Sequence, residues 1–285
     1  MNVPHPPIVL LGASGEIGSS IREAARTLGM PVQNWGWKEL LGAGLNAEKD
    51  PFNGWLKEKT APLGPCTVVF AQGLTNSRLS PEELMFSNCD SVRRIVGGLA
   101  DRSAVRFLTL GTVSEHFAGL CAGNPYLSSK LALGQWMEDQ AHGAPDRFRH
   151  LRLHTIYGGA PKPHMFLGQM LDALRHRREF RMSPGLQLRE YHHCAEIARI
   201  ILEMVRTPWN GPAVRDLSSG EPVRLCDLAG GVFGHFDGMS LLKVGALPAP
   251  AGENTQTRFP ASPEFTWKKY PDPVTGICKT FETIL

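Results

Sequence analysis

The feature that most restricts the fold of this chain is a glycine-rich turn that joins a short apolar run to a helix-forming segment. The run Ile8–Leu11 (IVLL) is typical of a strand buried on both faces of a parallel sheet. The turn Gly12–Gly18 (GASGEIG) follows it directly. Apolar residues then recur at helical spacing until Gly29 and Pro31, which indicate the end of the helix.

A strand, a glycine-rich turn and a helix in this order are the context of a dinucleotide-binding fingerprint. Glycines let backbone N–H groups approach a pyrophosphate, and the N-terminus of the helix favours its negative charge. The spacing here is G-x2-G-x2-G, which departs from the G-x-G-x-x-G form, so a tight structural turn is the alternative reading. The predicted dinucleotide contacts are Gly12, Ser14, Gly15, Glu16, Ile17 and Gly18.

The end of the predicted second strand, Pro31–Trp35, bears on the choice of dinucleotide. An acidic residue at this point would hold the ribose 2′-hydroxyl of NAD. No acid occurs here before Glu39, and Lys38 instead offers a positive charge to a 2′-phosphate. We therefore predict NADP as the cofactor, with NAD as the alternative. In the competing reading, Lys38 is only a solvated surface residue.

Two further apolar strands are predicted, at Thr67–Ala71 and Val105–Leu110, with a helix over Ser80–Leu99 between them. Strands that alternate with helices imply right-handed crossovers and a doubly wound parallel sheet of the α/β class. Ligands bind beyond the carboxyl ends of such strands. The residues predicted at these ends are Gly12, Ala71, Gln72, Gly73 and Thr112.

A second helix carries a candidate proton donor. Asn124 is a good N-cap and Pro125 suits the first helical position, so a helix should begin here. Tyr126 and Lys130 are four residues apart and project from the same face. An ammonium beside a phenol lowers the phenol pKa from its reference of ~10, which makes Tyr126 a candidate general acid and base. A Tyr-x3-Lys pair also arises by chance on amphipathic helices.

Composition excludes several classes of protein. The 285 residues are sufficient for a large core, and a formal net charge of +3 is too small to indicate a nucleic-acid partner. No apolar run of about 18 residues predicts a membrane span, and the N-terminus lacks the regions of a secretion signal. The six cysteines have no C-x-x-C spacing, so we expect reduced thiols in a cytoplasmic protein, with no disulfide framework and no metal site.

Several motifs together resemble the short-chain dehydrogenase/reductase superfamily. These are the glycine turn, a hydroxyl residue at Thr112 that closes a strand, and Tyr126-x3-Lys130, in this order and spacing. Further segments resemble its extended branch, the NAD-dependent epimerase/dehydratase family that acts on nucleotide sugars. They are Leu151–Gly158, similar to L-R-x-x-N-x-Y-G with Thr155 in place of Asn, Gly185–Ala198, similar to G-x-x-x-R-D-[YF]-x-H-x-x-D-x-A, and Asp216–Val223, similar to N-x-x-x-G-[ED]-P-[VI].

The resemblance implies a role for each matching residue. Tyr126 would be the general acid and base, and Lys130 would bind the nicotinamide ribose and lower the Tyr126 pKa. Thr112 would hydrogen-bond the reacting oxygen, with Ser114 as the rival and as a substrate contact; Glu115–Phe117 stands where the family has Val-Tyr-Gly. The resemblance would also place Thr155 and Ala71 at the dinucleotide and Arg189 at the nucleotide diphosphate.

The implied fold is a Rossmann domain with a smaller C-terminal substrate-binding lobe. The first domain would comprise residues 1–155 and about 191–205, and the lobe residues 156–190 and 206–285. Family members commonly dimerise through the helices placed here at Ser80–Leu99 and Tyr126–Gln140, so the resemblance implies a homodimer.

The implied activity is the reduction of the keto group of a nucleotide-linked 4-keto-6-deoxy sugar. Nucleotide-sugar 4,6-dehydratases of the family follow the strand-end Thr with Asp-Glu, whereas this chain has Val113 and Ser114. Valine cannot move a proton, which disfavours dehydration by that route. An NAD-dependent nucleotide-sugar 4-epimerase is the alternative, and a non-catalytic dinucleotide-binding regulator is a third reading.

Overall fold

The computed structural model describes residues 6–47, 51–76, 79–249, 251–267 and 272–285. Two compact units divide the chain. The first contains the residues up to Leu153 and Ala198–Asp216, and the second contains His154–Ile197 and Leu217–Leu285. We expected the chain to return to the first domain over about residues 191–205. In the structure, the segment that returns to the first unit begins later and continues to Asp216. The end of this segment adds a strand to the sheet of the first unit.

The strands are short. In chain order they are β1 (Ile8–Leu11), β2 (Val32–Trp35), β3 (Cys66–Phe70), β4 (Val105–Thr112), β5 (Phe148–Leu153), β6 (Thr155–Tyr157), β7 (Phe180–Arg181), β8 (Leu188–Arg189), β9 (Tyr191–His193), β10 (Val214–Leu217), β11 (Val223–Arg224) and β12 (Leu242–Lys243).

The helices alternate with the strands through the first unit. In chain order they are α1 (Glu16–Thr27), α2 (Trp37–Gly42), α3 (Pro51–Thr60), α4 (Pro81–Met85), α5 (Ser91–Gly98), α6 (Ala118–Ala122), α7 (Pro125–Gly143), α8 (Phe166–Arg175), α9 (Cys194–Arg206), α10 (Leu225–His235) and α11 (Pro273–Glu282). A π-helical turn, Phe86–Asp90, joins α4 to α5, and a 3-10 helix, Val113–His116, follows β4. No helix among the described residues is long and apolar enough to cross a membrane.

The first unit is built on a six-stranded sheet in the order β10-β5-β4-β3-β1-β2 within the described ranges. Neighbours from β2 to β5 pair in parallel, and β1 and β3 are buried along their whole length. Continuous burial explains why both strands are unbroken apolar runs. The prediction of a doubly wound parallel α/β sheet is confirmed.

The carboxyl ends of three strands lie at one edge of this sheet. Leu11 is in register with Phe70, and Phe70 is in register with Thr109. β4 continues to Thr112, beyond the expected end at Leu110. The glycine turn, the loop after β3 and the end of β4 therefore succeed one another along this edge.

The second unit has its own apolar core, in which helices α8, α10 and α11 pack together. Met170, Val232 and Phe281 are fully buried there. The described residues of the unit also form two-stranded pairs, β6 with β9, β7 with β12 and β8 with β11. All six cysteines of the chain are free thiols.

Candidate active site

Two glycines of the turn after β1 are required by the packing of the protein itself. Gly12 has a φ of +80°, and a Cβ built on it would lie 2.4 Å from the backbone nitrogen of Gln72. A Cβ on Gly18 would lie 2.1 Å from the carbonyl oxygen of Gly12. Both positions exclude any side chain, because backbone atoms approach too closely. The turn is thereby held against the first turn of α1 and against the loop after β3.

Gly15 is different, because nothing in the protein fills the place of its side chain. A Cβ there would meet only the Gly12 oxygen, at an ordinary 3.4 Å. Gly15 is the N-cap of α1 and has no side chain to cap the first turn, while its own N–H donates to Gly12 O at 2.9 Å. The N–H groups of a first helical turn have no intrahelical partner and attract phosphates. This geometry fits the predicted dinucleotide pyrophosphate at Ser14, Gly15, Glu16, Ile17 and Gly18.

The end of β2 presents polar groups to solvent. Asn34 and Lys38 are exposed, Lys38 in the first turn of α2. Glu39, the first acid after the strand, forms an ion pair with Lys59 at 2.9 Å. The Glu39 carboxylate therefore has a cationic partner, and Lys38 is an exposed positive charge next to it in the sequence.

The loop after β3 is held by Asn88, which lies within the helical segment predicted over Ser80–Leu99 and for which no motif predicted a role. Asn88 lies in the π-helical turn. Its amide accepts from Leu74 N at 2.9 Å and donates to Leu74 O at 3.0 Å and to Ser129 Oγ at 3.0 Å. In the sequence, the only indication of this role is a polar residue at a position where the helical spacing otherwise places apolar residues. Asn88 thus fastens the loop that contains Gln72 and Gly73 to helix α7.

Lys130 lies in the same place. Its side chain is buried, and its ammonium donates to the carbonyl oxygen of Leu110 at 3.0 Å. A Cβ on Gly73 would lie 3.2 Å from Lys130 Nζ, so the lysine is packed directly beneath the loop after β3. Burial lowers the pKa of Lys130 to about 8.

Tyr126 lies in the first turn of helix α7 as predicted, but the direction of its pKa shift is not as predicted. Asn124 Oδ1 accepts from Tyr126 N at 3.0 Å and from Leu127 N at 3.3 Å, which confirms the N-cap. Burial, aided by the Glu115 carboxylate, raises the pKa of Tyr126 to about 12. The expectation of a lowered pKa is therefore wrong for this structure. The Lys130 ammonium is engaged by a backbone carbonyl, and desolvation dominates at the phenol.

Thr112 and Ser114 occupy the end of β4 and the 3-10 helix that follows. Thr112 Oγ1 accepts from Ser114 N at 3.3 Å, which leaves the Thr112 hydroxyl hydrogen available for another acceptor. Thr112 N donates to Glu115 Oε1 at 2.7 Å. Thr112 is thus fixed by both its backbone and its side chain at the sheet edge that also carries the Gly12 turn.

A buried polar network that the sequence analysis did not identify lies beside this strand end. Glu115, 4% exposed, has Oε2 at 3.2 Å from His150 Nε2 and at 3.0 Å from Arg152 Nε. His150 Nδ1 in turn lies 2.7 Å from Thr109 Oγ1. Burial opposes ionisation of Glu115, but His150, Thr112 N–H and Arg152 together hold its pKa below the ordinary value. In the sequence, the only indication of this network is Glu115 itself, an acid at a position where the related family has an apolar residue.

Two predicted contacts, Thr155 and Arg189, lie in the second unit. The N–H of Thr155 donates to Glu190 O at 3.1 Å. The guanidinium of Arg189 forms an ion pair with Glu253, and both side chains are partly exposed. Arg189 therefore has a carboxylate partner within its own unit, which the motif did not predict.

Glu190 is the centre of a second buried network in that unit. Its carboxylate accepts from Ser218 Oγ at 2.7 Å and from Ser219 N at 2.7 Å, and lies 3.1 Å from His192 Nε2. Burial opposes ionisation, but the hydrogen bond from His192, the charge of His154 and the other donors lower the pKa of Glu190 to about 2. Within the described ranges, no three His, Cys, Asp or Glu side chains are grouped to hold a metal ion.

Comparison with known proteins identifies the family. A model of the NAD dependent epimerase/dehydratase family matches residues 8–220, so this chain belongs to that family and the predicted resemblance is confirmed. The family places the chain among NAD-dependent enzymes. No curated protein matches the chain.

Solved structures share the fold at low sequence identity. The UDP-glucose 4-epimerase of Thermotoga maritima, solved with UDP-glucose, is 12% identical, with 98% of each chain covered and a TM-score of 0.79. TunA, an NAD-dependent NDP-hexosamine 5,6-dehydratase of tunicamycin biosynthesis, is 17% identical over 98% of this chain and 97% of its own, with a TM-score of 0.75. MoeE5, solved with UDP-glucose and NAD, is 19% identical over 97% of each chain, with a TM-score of 0.74.

Proposed function

We propose that this protein is an NAD(P)-dependent reductase of a nucleotide-linked 4-keto-6-deoxy sugar, with Tyr126 as the general acid. The observation that carries the proposal is the convergence, in the first unit, of Lys130 and the loop after β3 beside the strand end that bears Thr112. Family membership supports the substrate class, as do two neighbours solved with UDP-glucose, one of which also contains NAD.

Each side chain has a distinct part in the proposed reaction. The Thr112 hydroxyl donates a hydrogen bond to the carbonyl oxygen, with Ser114 beside it at the substrate. Tyr126, fully protonated because its pKa is about 12, gives its proton to that oxygen as the alcohol forms. Lys130 holds the ribose next to the reacting carbon. Arg189 binds the nucleotide diphosphate. Its guanidinium leaves the ion pair with Glu253 and pairs with the phosphate oxygens instead.

The nicotinamide dinucleotide, when bound, supplies the hydride. The residues of the turn fit it, because Gly15 leaves open the space that a Cβ would fill and the first turn of α1 lacks a side-chain cap. We propose NADPH as the reduced form used, since the engaged Glu39 and the exposed Lys38 suit a 2′-phosphate. Ala71, Gln72, Gly73 and Thr155 complete the proposed dinucleotide contacts. We also propose a homodimer through the helical segments Ser80–Leu99 and Tyr126–Gln140.

Dehydration and epimerisation are the competing reactions of the family. Val113 and Ser114 follow Thr112 in the 3-10 helix, and neither side chain is a carboxylic acid. A 4-epimerase returns its hydride and consumes no net reductant. One mole of NADPH oxidised for each mole of ketone reduced supports the reductase, whereas product formed without NADPH consumption favours the epimerase.

The direct test of the proposal is Tyr126→Phe. With a panel of UDP-, dTDP- and GDP-linked 4-keto-6-deoxyhexoses, we expect kcat to fall by about 10² to 10⁴, the usual contribution of a positioned proton donor. NADPH affinity, measured by fluorescence titration, should change less than about threefold, because the ring remains.

Tyr157→Phe is the matched control, because it removes a phenol hydroxyl in the core of the second unit. It should remain active. A Tyr126→Phe enzyme that keeps turnover within about tenfold of wild type would remove Tyr126 from the proposed role.

A further inference from the structure

Glu115 contacts every element that carries a proposed catalytic group in the first unit. It accepts a hydrogen bond from Thr112 N at 2.7 Å, at the end of β4. Its Oε2 lies 2.7 Å from where a Cβ on Gly134 would be, so the carboxylate packs against α7 one turn beyond Lys130. His150 and Arg152 attach it to β5. One carboxylate thus joins three elements at the sheet edge.

The surrounding backbone leaves room for this carboxylate. A Cβ on Gly111 would lie 2.2 Å from Glu115 Oε1 and 2.2 Å from His150 Nε2. A Cβ on Gly134 would also lie 3.1 Å from His150 Nε2. Glycine at both positions, one on β4 and one on α7, accommodates the Glu115–His150 pair. The pair is therefore a built feature of this chain and not a side chain that happens to point inward.

We propose that Glu115 is a positioning residue of the reaction centre, which fixes the strand end of Thr112 against the helix of Tyr126 and Lys130 and supplies the negative charge that this helix faces. This inference rests on the proposed function, because it concerns the same catalytic groups. Glu115 touches neither substrate nor cofactor in the proposed reaction and acts through its neighbours.

The charge of Glu115 has a consequence for Lys130. A buried lysine tends to lose its proton, and the nearby carboxylate opposes this loss. The same charge discourages ionisation of Tyr126 and so keeps the proton donor protonated. The titratable and charged groups around this centre are His150 and Arg152 on β5, His116 and Asp216 beside them, Cys121 on α6, Tyr126 and Lys130 on α7, and Cys89 in the π-helical turn.

The test replaces the carboxylate by an amide of the same shape. Glu115→Gln removes the charge, so the proton of Lys130 should be lost at a pH about one unit lower than in wild type, within the range of charge effects on a pKa. The titration is followed by NMR of 13Cε-labelled lysine, with the Lys130 signal assigned from Lys130→Met. The basic limb of the kcat/KM profile should move by the same amount. Glu58→Gln, an exposed charge change on α3, should move neither.

A second variant tests the opposite sign. Arg152→Gln removes the positive charge that is paired with the Glu115 carboxylate. The negative charge of Glu115 then acts on Lys130 with less compensation, so Lys130 should lose its proton at a higher pH than in wild type. If Glu115→Gln folds by circular dichroism and Lys130 titrates as in wild type, the inference is overturned. If Glu115→Gln does not fold, the Arg152→Gln variant is the test. A Lys130 titration at higher pH than in wild type supports the inference, and an unchanged titration overturns it. The NMR titration needs no turnover, so the two proposals can fail separately. An enzyme inactive on the sugar panel would overturn the proposed function, whereas the Lys130 titration alone decides the role of Glu115.

Discussion

Lys38 is a single exposed side chain on which the dinucleotide preference is expected to depend. Lys38→Ala should raise the KM for NADPH about 10- to 150-fold, because a charge-assisted hydrogen bond to phosphate contributes about 1.5 to 3 kcal/mol. The KM for NADH should stay within about twofold, since NADH has no 2′-phosphate to lose a contact. Steady-state kinetics with both reductants measures the difference.

Lys57→Ala is the control for that experiment, because Lys57 lies on α3 in an exposed ion pair with Asp101. It should leave both KM values unchanged. Equal effects of Lys38→Ala on the two reductants would mean that Lys38 does not contact the 2′-phosphate, and the reason for proposing NADPH over NADH would be lost.

At the scale of single residues, the sequence predicted partners better than it predicted proton affinities. The spacing of Tyr126 and Lys130 placed both on α7, and Asn124 caps it as expected. The direction of the Tyr126 pKa could not be predicted, because it depends on desolvation and on Glu115, which approaches from another element. Asn88 and Glu115 were missed for the same reason, since their partners are distant in sequence.

The glycine turn allows a test at the scale of an element. Gly15→Ala should lower the stability without ligand by at most about 1 kcal/mol, because its Cβ has an ordinary contact distance and only the N-cap preference for glycine over alanine is lost. The added methyl should weaken NADPH binding, so the stabilisation of about 2.7 kcal/mol expected at 100 times Kd should largely disappear. Urea unfolding with and without NADPH measures both quantities.

Gly18→Ala is the matched comparison in the same turn. A Cβ there would collide with the backbone oxygen of Gly12, so this variant should lose about 1 to 3 kcal/mol even without ligand. If Gly15→Ala binds NADPH as well as wild type does, the pyrophosphate does not lie at this turn.

Strand β5 shows why the sheet could be predicted only in part. Its sequence, FRHLRL, lacks the unbroken apolar run of β1 or β3, yet the strand is mostly buried. Arg149 is 1% exposed and donates to the carbonyl oxygens of Gly211 and Asn210, while His150 faces Glu115. Tertiary hydrogen bonds therefore replace apolarity as the reason for burial, and a pattern based on hydrophobicity cannot detect them.

The stability of the whole molecule in acid should depend on Glu190. Its pKa of about 2 lies below the ordinary 4.5, so it stabilises the folded chain above the unfolded pKa, and this contribution is lost as the pH falls towards 2. Between about pH 5 and about pH 3 the loss should be about 2 kcal/mol. Urea denaturation at each pH should show this slope in wild type and a flatter one in Glu190→Gln.

Glu221→Gln is the control for the acid experiment, because Glu221 is an exposed acid in the same unit. It should keep the wild-type slope. A Glu190→Gln protein with an unchanged slope would show that other carboxylates govern the acid transition.

The division of the chain into two units was expected only roughly, since contacts between distant segments set its boundaries.

The π-helical turn between α4 and α5 has a consequence for how the protein can change. A π-helical turn contains one more residue per hydrogen-bonded ring than the α-helix around it. Removing that surplus residue would rotate all that precedes or follows it by about 100°, and the Asn88 amide would no longer face both backbone groups of Leu74. A change in the length of this stretch would therefore release the loop after β3 from helix α7, even with Asn88 itself retained.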